Sequence, residues 1–351
     1  MKARRFNPSI TLAEYAHQII QQNVEKIIAQ EAAVLKDKDP EPLHQMRVSM
    51  RRLRTAVKVF STTIIIPKSA NDAAIGKIAK SLGGTRDLDV LQQELITHYQ
   101  PLLKKAEQPK FEAVLKHVSQ TRRQSFSQLQ KTLNGDRYQK VKQSLQAWLD
   151  NPTYTPMGSL AVLQILPDLL LPLVCQLFLH PGWLVGTTIQ SGEVALVSIA
   201  DSQELNHQFH QFNQLLHGLR KQIKGVRYQA EFFAGFYDQT YLERVDEFKA
   251  IQDLLGQLQD HVVLRQFLES TLKADVAKVL PSVDRVLQQD QTNFWQNWQP
   301  LQQRYLSLEF RQSLRSLLTT PTALTLPDSG NSNKQPKASK QTNAKSVTSK
   351  Q

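Results

Sequence analysis

Cysteine is all but missing: Cys175 stands alone in 351 residues. That excludes a disulfide framework, and a cysteine-based zinc site within one chain. Acids are scarce beside bases, 31 against 43, which leaves a formal charge of +12. Such an excess favours acidic partners: nucleic acid, an anionic membrane or a phosphate polymer. No apolar run follows the charged start Met1-Lys2-Ala3-Arg4-Arg5-Phe6. No secretory signal is therefore read, and a cytoplasmic address is the expectation. β-Hairpin patterns are scarce as well, so the expected fold class is all-α.

Long apolar runs are limited to one, Ser159 to Leu179, which has the length to cross a bilayer. It contains Asp168, Gln164, Gln176, Pro167 and Pro172. A charge near the middle of a span is costly, and two prolines interrupt its hydrogen bonding. A pair of buried core helices is expected there, with no membrane span.

Helical periodicity fills most of the remainder. Leu12 to Leu35, Leu43 to Phe60, Gln108 to Leu129 and Tyr138 to Leu149 read as helices. Ile75 to Tyr99 reads as a helix broken or joined at Gly83-Gly84. Val185 to Asp201 is low in charge and reads as a loop or a short extended piece. Helices resume at Leu205 and run to about Leu318. The expected organisation is a first helical half (1–150), a low-charge linker with the apolar segment (151–204), a second helical half (205–318) and a disordered basic tail (319–351). Between Thr320 and Gln351 five lysines face one acid, Asp328, so the tail carries +4 and the rest still carries +8.

The most informative feature is an internal repeat. His44-Gln-Met-Arg47-Val-Ser-Met-Arg51-Arg52-Leu-Arg54 returns 173 residues on as His217-Gly-Leu-Arg220-Lys-Gln-Ile-Lys224-Gly-Val-Arg227. Leu82-Gly83-Gly84-Thr85-Arg86-Asp87-Leu88-Asp89 returns at the same spacing as Leu255-Gly256-Gln257-Leu258-Gln259-Asp260-His261-Val262. Two separated motifs keeping one register imply an internal duplication in which each half carries the same helical framework.

On a helix, His44, Arg47, Arg51, Arg54 and Lys58 fall at roughly 0°, −60°, −20°, −80° and −40°, a single stripe. His217, Arg220, Lys224 and Arg227 repeat it, Lys221 borders it, and Arg52 falls outside the first. Like charges one turn apart repel. No acid occurs from Leu43 to Asn71 or from Leu205 to Ala230, so the balancing charge is either an acid from elsewhere in the fold or a bound anion. Guanidinium matches phosphate oxygens bidentately, ammonium adds a mobile point charge, and protonated imidazole donates from both nitrogens. A row of such groups suits a chain of charges better than one small anion. Asp87 and Asp260, four residues after Gly83 and Gly256, are placed to hold stripe side chains, or to act as ordinary caps or ion pairs. Lys116, Arg122, Arg123 and Lys131 are candidate secondary contacts, though a solvated face is the favoured reading, since surface Lys and Arg are common.

Other chemistries have less behind them. His44 and His217 lack a second ligand one turn away on the same face, and a field of arginines repels cations, so no metal is expected at the stripes. His207 and His210 have ligand-pair spacing but read as surface residues. Asp89 has no acidic counterpart, Val262 standing in its place. A catalytic carboxylate pair is therefore not repeated, and neither an enzyme nor a cofactor is expected. A metal-dependent (tri)phosphate hydrolase and a nucleic-acid-binding protein remain the alternatives. The stripes lack interleaved aromatics to stack on bases.

These four elements together, over roughly residues 10–318, resemble the CHAD domain, the conserved-histidine α-helical domain. The resemblance implies two pseudo-symmetric helical bundles around a basic central groove or cavity. It also implies binding of inorganic polyphosphate, with association at polyphosphate granules. Some members are fused to a CYTH domain, which hydrolyses triphosphates through a Glu-x-Glu-x-Lys motif and a metal; that motif does not occur in this sequence. The expectation is thus a stand-alone member. The sequence departs from the pattern at Gly225, where the family often has a basic residue, and in the low-charge segment 159–200.

Overall fold

In a computed structural model that describes residues 7, 9–197 and 202–321, the side chains of 202–210 excepted, the chain folds into helices and one small hairpin. The first helices are α1 (Leu12–Lys36), α2 (Glu41–Val59), α3 (Asp72–Glu94), α4 (Gln108–Asn134) and α5 (Asp136–Asp150). Next come α6 (Val162–Phe178) and the antiparallel strands β1 (Thr187–Gln190) and β2 (Glu193–Leu196). Then follow α7 (Ser202–Phe232), α8 (Gln239–Leu272), α9 (Val276–Val279), α10 (Pro281–Leu306) and α11 (Leu308–Thr319). The all-α class holds. His207 and His210 lie among the side chains not described, and the tail expected from 319 lies outside the described residues from 322 on.

Local chemistry sets these boundaries. Thr11 and Glu14 form a capping box at the start of α1, and Asp37 ends that helix in the left-handed conformation. The Asn71 side chain caps α3 by accepting from the Ala74 amide at 2.9 Å. Of the two readings at Gly83-Gly84, broken or joined, the structure shows the joined one: α3 runs unbroken, because Ile75, Ile78, Leu82 and Thr85 continue one buried face across them. The irregularity comes later, as a π-turn over Leu95–Tyr99.

The expected helix pair is corrected. The apolar run is one helix, α6, with Pro167 and Pro172 inside it. Each proline forfeits a ladder hydrogen bond, but the buried row Leu166, Leu170, Val174 and Leu177 passes through both and packs in the core. By length and composition Val162–Leu184 passes the test for a membrane span, yet this apolar face is spent inside the fold. The segment after it contains the hairpin. Ser191 and Gly192, at φ 52° and 84°, make the tight turn that β1 and β2 need.

One core cluster runs from Ile10 to Leu318 and draws on both halves and on α6. Trp183 stacks on Trp298 and Tyr305, at 5.4 and 4.8 Å between centroids, and buried Gln302 donates to the carbonyls of Trp183 and Val185. A second cluster joins Leu95, Tyr99, Phe111, Val114 and Val118 to Leu264, Leu268, Val276, Leu280, Val283 and Leu287. Beside it, the Glu107 carboxylate accepts from the Ser282 amide at 2.8 Å and its hydroxyl at 2.7 Å, tying the start of α4 to that of α10. Those two helices begin 173 residues apart, the spacing of the sequence motifs. The fold thus sets α2 against α7, the two helices that carry the stripes.

Candidate functional site

Helix α2 buries Leu43, Met46, Met50, Leu53 and Val57 and leaves the stripe on the side away from them. Helix α7 does the same with Leu216, Leu219, Ile223 and Val226. Because α2 packs on α7, the stripes come within electrostatic reach of each other. Lys224 feels Arg51, Arg220 and Arg47, two of them from the opposite half.

The structure divides the stripe residues into two groups. Some meet acids, either on a neighbouring element or one turn along the same helix. Arg54 Nε lies 2.8 Å and Lys58 Nζ 3.3 Å from Asp72 at the head of α3. Arg227 is buried; its Nε donates to Gln252 at 3.0 Å and its Nη1 to Glu231 at 2.7 Å. Arg52, off the stripe, reaches the same Glu231 at 3.1 Å. Arg47 pairs with Asp87 at 2.9 Å, but that carboxylate is 66% exposed and the pair faces water. Among the described residues Arg51, Arg220, Lys221 and Lys224 make no ion pair. His44 and His217 stand half-buried at the heads of the two rows. Arg51 Nε, Arg220 Nε and His217 Nδ1 are buried without a hydrogen-bond partner.

The glycines of the second motif explain how these arginines fit. A Cβ on Gly256 would sit 3.1 Å from Arg220 Nη2, and one on Gly83 would sit 3.8 Å from Arg47 Nε. Each glycine lies beneath a guanidinium one helix away. The matching aspartates differ. Asp87 holds Arg47, whereas Asp260 lies in the field of Arg220 and Lys224 without pairing at close range.

The unpaired cations destabilise one another. Burial, reinforced by Arg51, Arg220 and Arg47, pushes the Lys224 ammonium down to about 8, with Asp87 opposing. Burial and then Lys221, Arg220 and Lys224 lower the His217 imidazole below its usual range. Nearby negative charge would relieve this strain.

The secondary candidates lie apart from it. Arg122 donates its Nε to Asp89 at 2.8 Å and is also bonded to Asp37; this makes it a brace between α4, α3 and the end of α1. Lys116, Arg123 and Lys131 are exposed on α4. A cavity of about 810 Å³, lined by Arg86, Asp89, Gln93, Arg122 and Pro40 among others, lies beside the stripes rather than on them. One of about 530 Å³, lined by Asn213, His261, Gln266 and Asp284, occupies the related place in the second half. No group of three or more His, Cys, Asp or Glu side chains suited to a metal ion occurs among the described residues.

Sequence reasoning assigned no role at the site to Asp72, Glu231 or Tyr228. Arg227 and Glu231 stand four residues apart, a legible helix pair. The reach of Arg54 to Asp72 across a loop had no signal. Tyr228 has the guanidinium carbons of Arg51 and Arg227 each 4.3 Å from its ring centroid.

No curated protein matches the sequence. The fold is similar to the crystal structure of the CHAD domain from the plant Ricinus communis, with TM-score 0.56 and 23% identity over 92% of this chain and 96% of that one. It is also similar to PptA from Streptomyces chartreusis, with TM-score 0.55 and 11% identity over 90% of this chain and all of that one. The family model for the CHAD domain matches residues 18–269, and on that match the chain belongs to the CHAD domain family.

Proposed function

We propose that this protein binds inorganic polyphosphate, without cleaving it, on the seam between α2 and α7. The observation that carries the reading is the convergence of Arg47, Arg51, Arg220 and Lys224 from both repeats, three of them without an acid partner. The family is polyphosphate-related. A row of guanidiniums and an ammonium facing each other from two helices grips a flexible chain of phosphates from two sides. A free stripe from His44 to Arg51, or from His217 to Lys224, spans about 10 Å at 1.5 Å per residue. Binding at polyphosphate granules in the cytoplasm belongs to the same proposal.

The paired cations hold the scaffold. Arg54 and Lys58 share the single charge of Asp72, and Arg227 and Arg52 share that of Glu231. Their place in the proposed site is to fix α2, α3 and α7, leaving direct contact to the free cations. The test is a titration of the full chain with polyphosphates of several lengths at two salt concentrations, with nucleic acid as competitor. Affinity is expected to fall with salt, and polyphosphate is expected to displace nucleic acid at far lower phosphate concentration. Equal competition would favour a general nucleic-acid binder. Alanine at Arg51 or Arg220 is expected to cost about tenfold or more, against under threefold at Arg54 or Lys58 (a charge-assisted hydrogen bond contributes about 1.5–3 kcal/mol). The reverse ranking would move the site.

A further inference from the structure

Tyr228 has no place in an electrostatic account of the stripe, yet it sits at its centre. Its ring is buried and carries two guanidiniums, Arg51 of α2 and Arg227 of α7, each 4.3 Å from its centroid. Arg227 is fixed independently by Gln252 and Glu231. Glu231 in turn reaches across to Arg52, which lies 5.2 Å from the Phe232 ring centroid. Arg51 has no such tether. Its Nε is buried without a partner, and Arg47, Arg227 and Lys224 all repel it. Left to those forces, a long side chain turns toward water. Glu231 attracts it through space but forms no ion pair with it, and the attractive group in contact with its guanidinium is the negative face of the Tyr228 ring.

We propose that Tyr228 is a positioning residue: its ring clamps Arg51 of the first repeat against α7, so that the two stripes present one site. This rests on the polyphosphate reading for its purpose, but not for its geometry. The clamp orders the guanidinium before any anion arrives, so binding does not bear the entropy of immobilising it. It also offsets the repulsion between Arg51 and Lys224 that would otherwise open the seam. Phenylalanine retains the ring face and suffices; leucine retains bulk and lacks it.

The test is a double-mutant cycle on the full chain with Arg51→Ala, Tyr228→Leu and their combination, with Tyr228→Phe as the conservative variant. Each protein is titrated with polyphosphate, and each is unfolded thermally without ligand. Tyr228→Phe is expected to bind within about twofold of the parent. Tyr228→Leu is expected to weaken binding roughly 3- to 30-fold, as the loss of a cation–π contact allows. Once Arg51 is alanine, the leucine change is expected to add under about twofold, since its effect runs through Arg51. An unchanged affinity in Tyr228→Leu, or an equal loss in both backgrounds, overturns the clamp. The unfolding cycle reads the same pair without ligand: coupling supports the clamp even if polyphosphate fails to bind, and additivity overturns it. If the leucine variant does not fold, Arg51→Lys gives up planar stacking and leaves the ring intact. Weaker binding is then expected, and unchanged binding contradicts the clamp.

Discussion

Lys224 shows at one residue the strain in the cationic cluster. An ammonium held down to about 8 by burial and by Arg51, Arg220 and Arg47 is partly neutral in mildly alkaline solution. A bound polyanion restores the proton, because negative charge favours the charged form. On the proposed function, binding is expected to be coupled to proton uptake, and affinity to fall as pH rises through about 8. His217, lowered by burial and its cationic neighbours, is expected to add affinity as the medium turns acidic. Calorimetry across this range checks both. Lys224→Arg is expected to abolish the alkaline fall, because arginine stays charged; a flat profile in the parent would contradict the coupling. The stripe itself was legible, since helical angles alone place His44, Arg47 and Arg51 together. Which of its members are free was not, because Asp72 and Arg52's partner Glu231 lie on other elements and meet the stripe only after packing.

At the scale of elements, the second motif is a seat for the first. Glycine at 83 and 256 reads in sequence as a kink or a close approach, and only the structure shows that a guanidinium is what approaches. The two seats are unequal. Gly256→Ala would put a methyl 3.1 Å from Arg220 Nη2, while Gly83→Ala meets Arg47 at an ordinary 3.8 Å. The first is expected to weaken polyphosphate binding severalfold by displacing Arg220, the second to leave it unchanged. Both are expected to keep or raise helix stability, by up to about 1 kcal/mol. Thermal unfolding and titration of the pair check this, and equal effects on binding would contradict it. The long periodic helices α1, α2 and α4 were legible to within a few residues at most boundaries. The hairpin was not, although Ser191-Gly192 is a turn signal, because strands of four residues give too little alternation. Helix α6 was misread as two, because packing of its buried row outweighs its two prolines.

For the whole molecule, the repeat matters because the halves are locked together. A shared core, the α2–α7 seam and the Glu107 bridge to Ser282 act in common. Glu107→Ala leaves the Ser282 amide without that acceptor and is expected to destabilise the chain by about 2–3 kcal/mol. Chemical denaturation reads this loss. Polyphosphate affinity is expected to persist in the folded protein, since the bridge lies at the starts of α4 and α10, away from the stripes. The repeated motifs were legible from one constant spacing, but the approach of the two stripes came only with the fold. The direct test of that convergence is to reverse one cation from each repeat, Arg51→Glu with Lys224→Glu, and to titrate with polyphosphate while following helical content. If α2 and α7 form one anion site, binding is lost and the helical signal is retained. Unchanged affinity in the folded double variant would remove the stripes from the account.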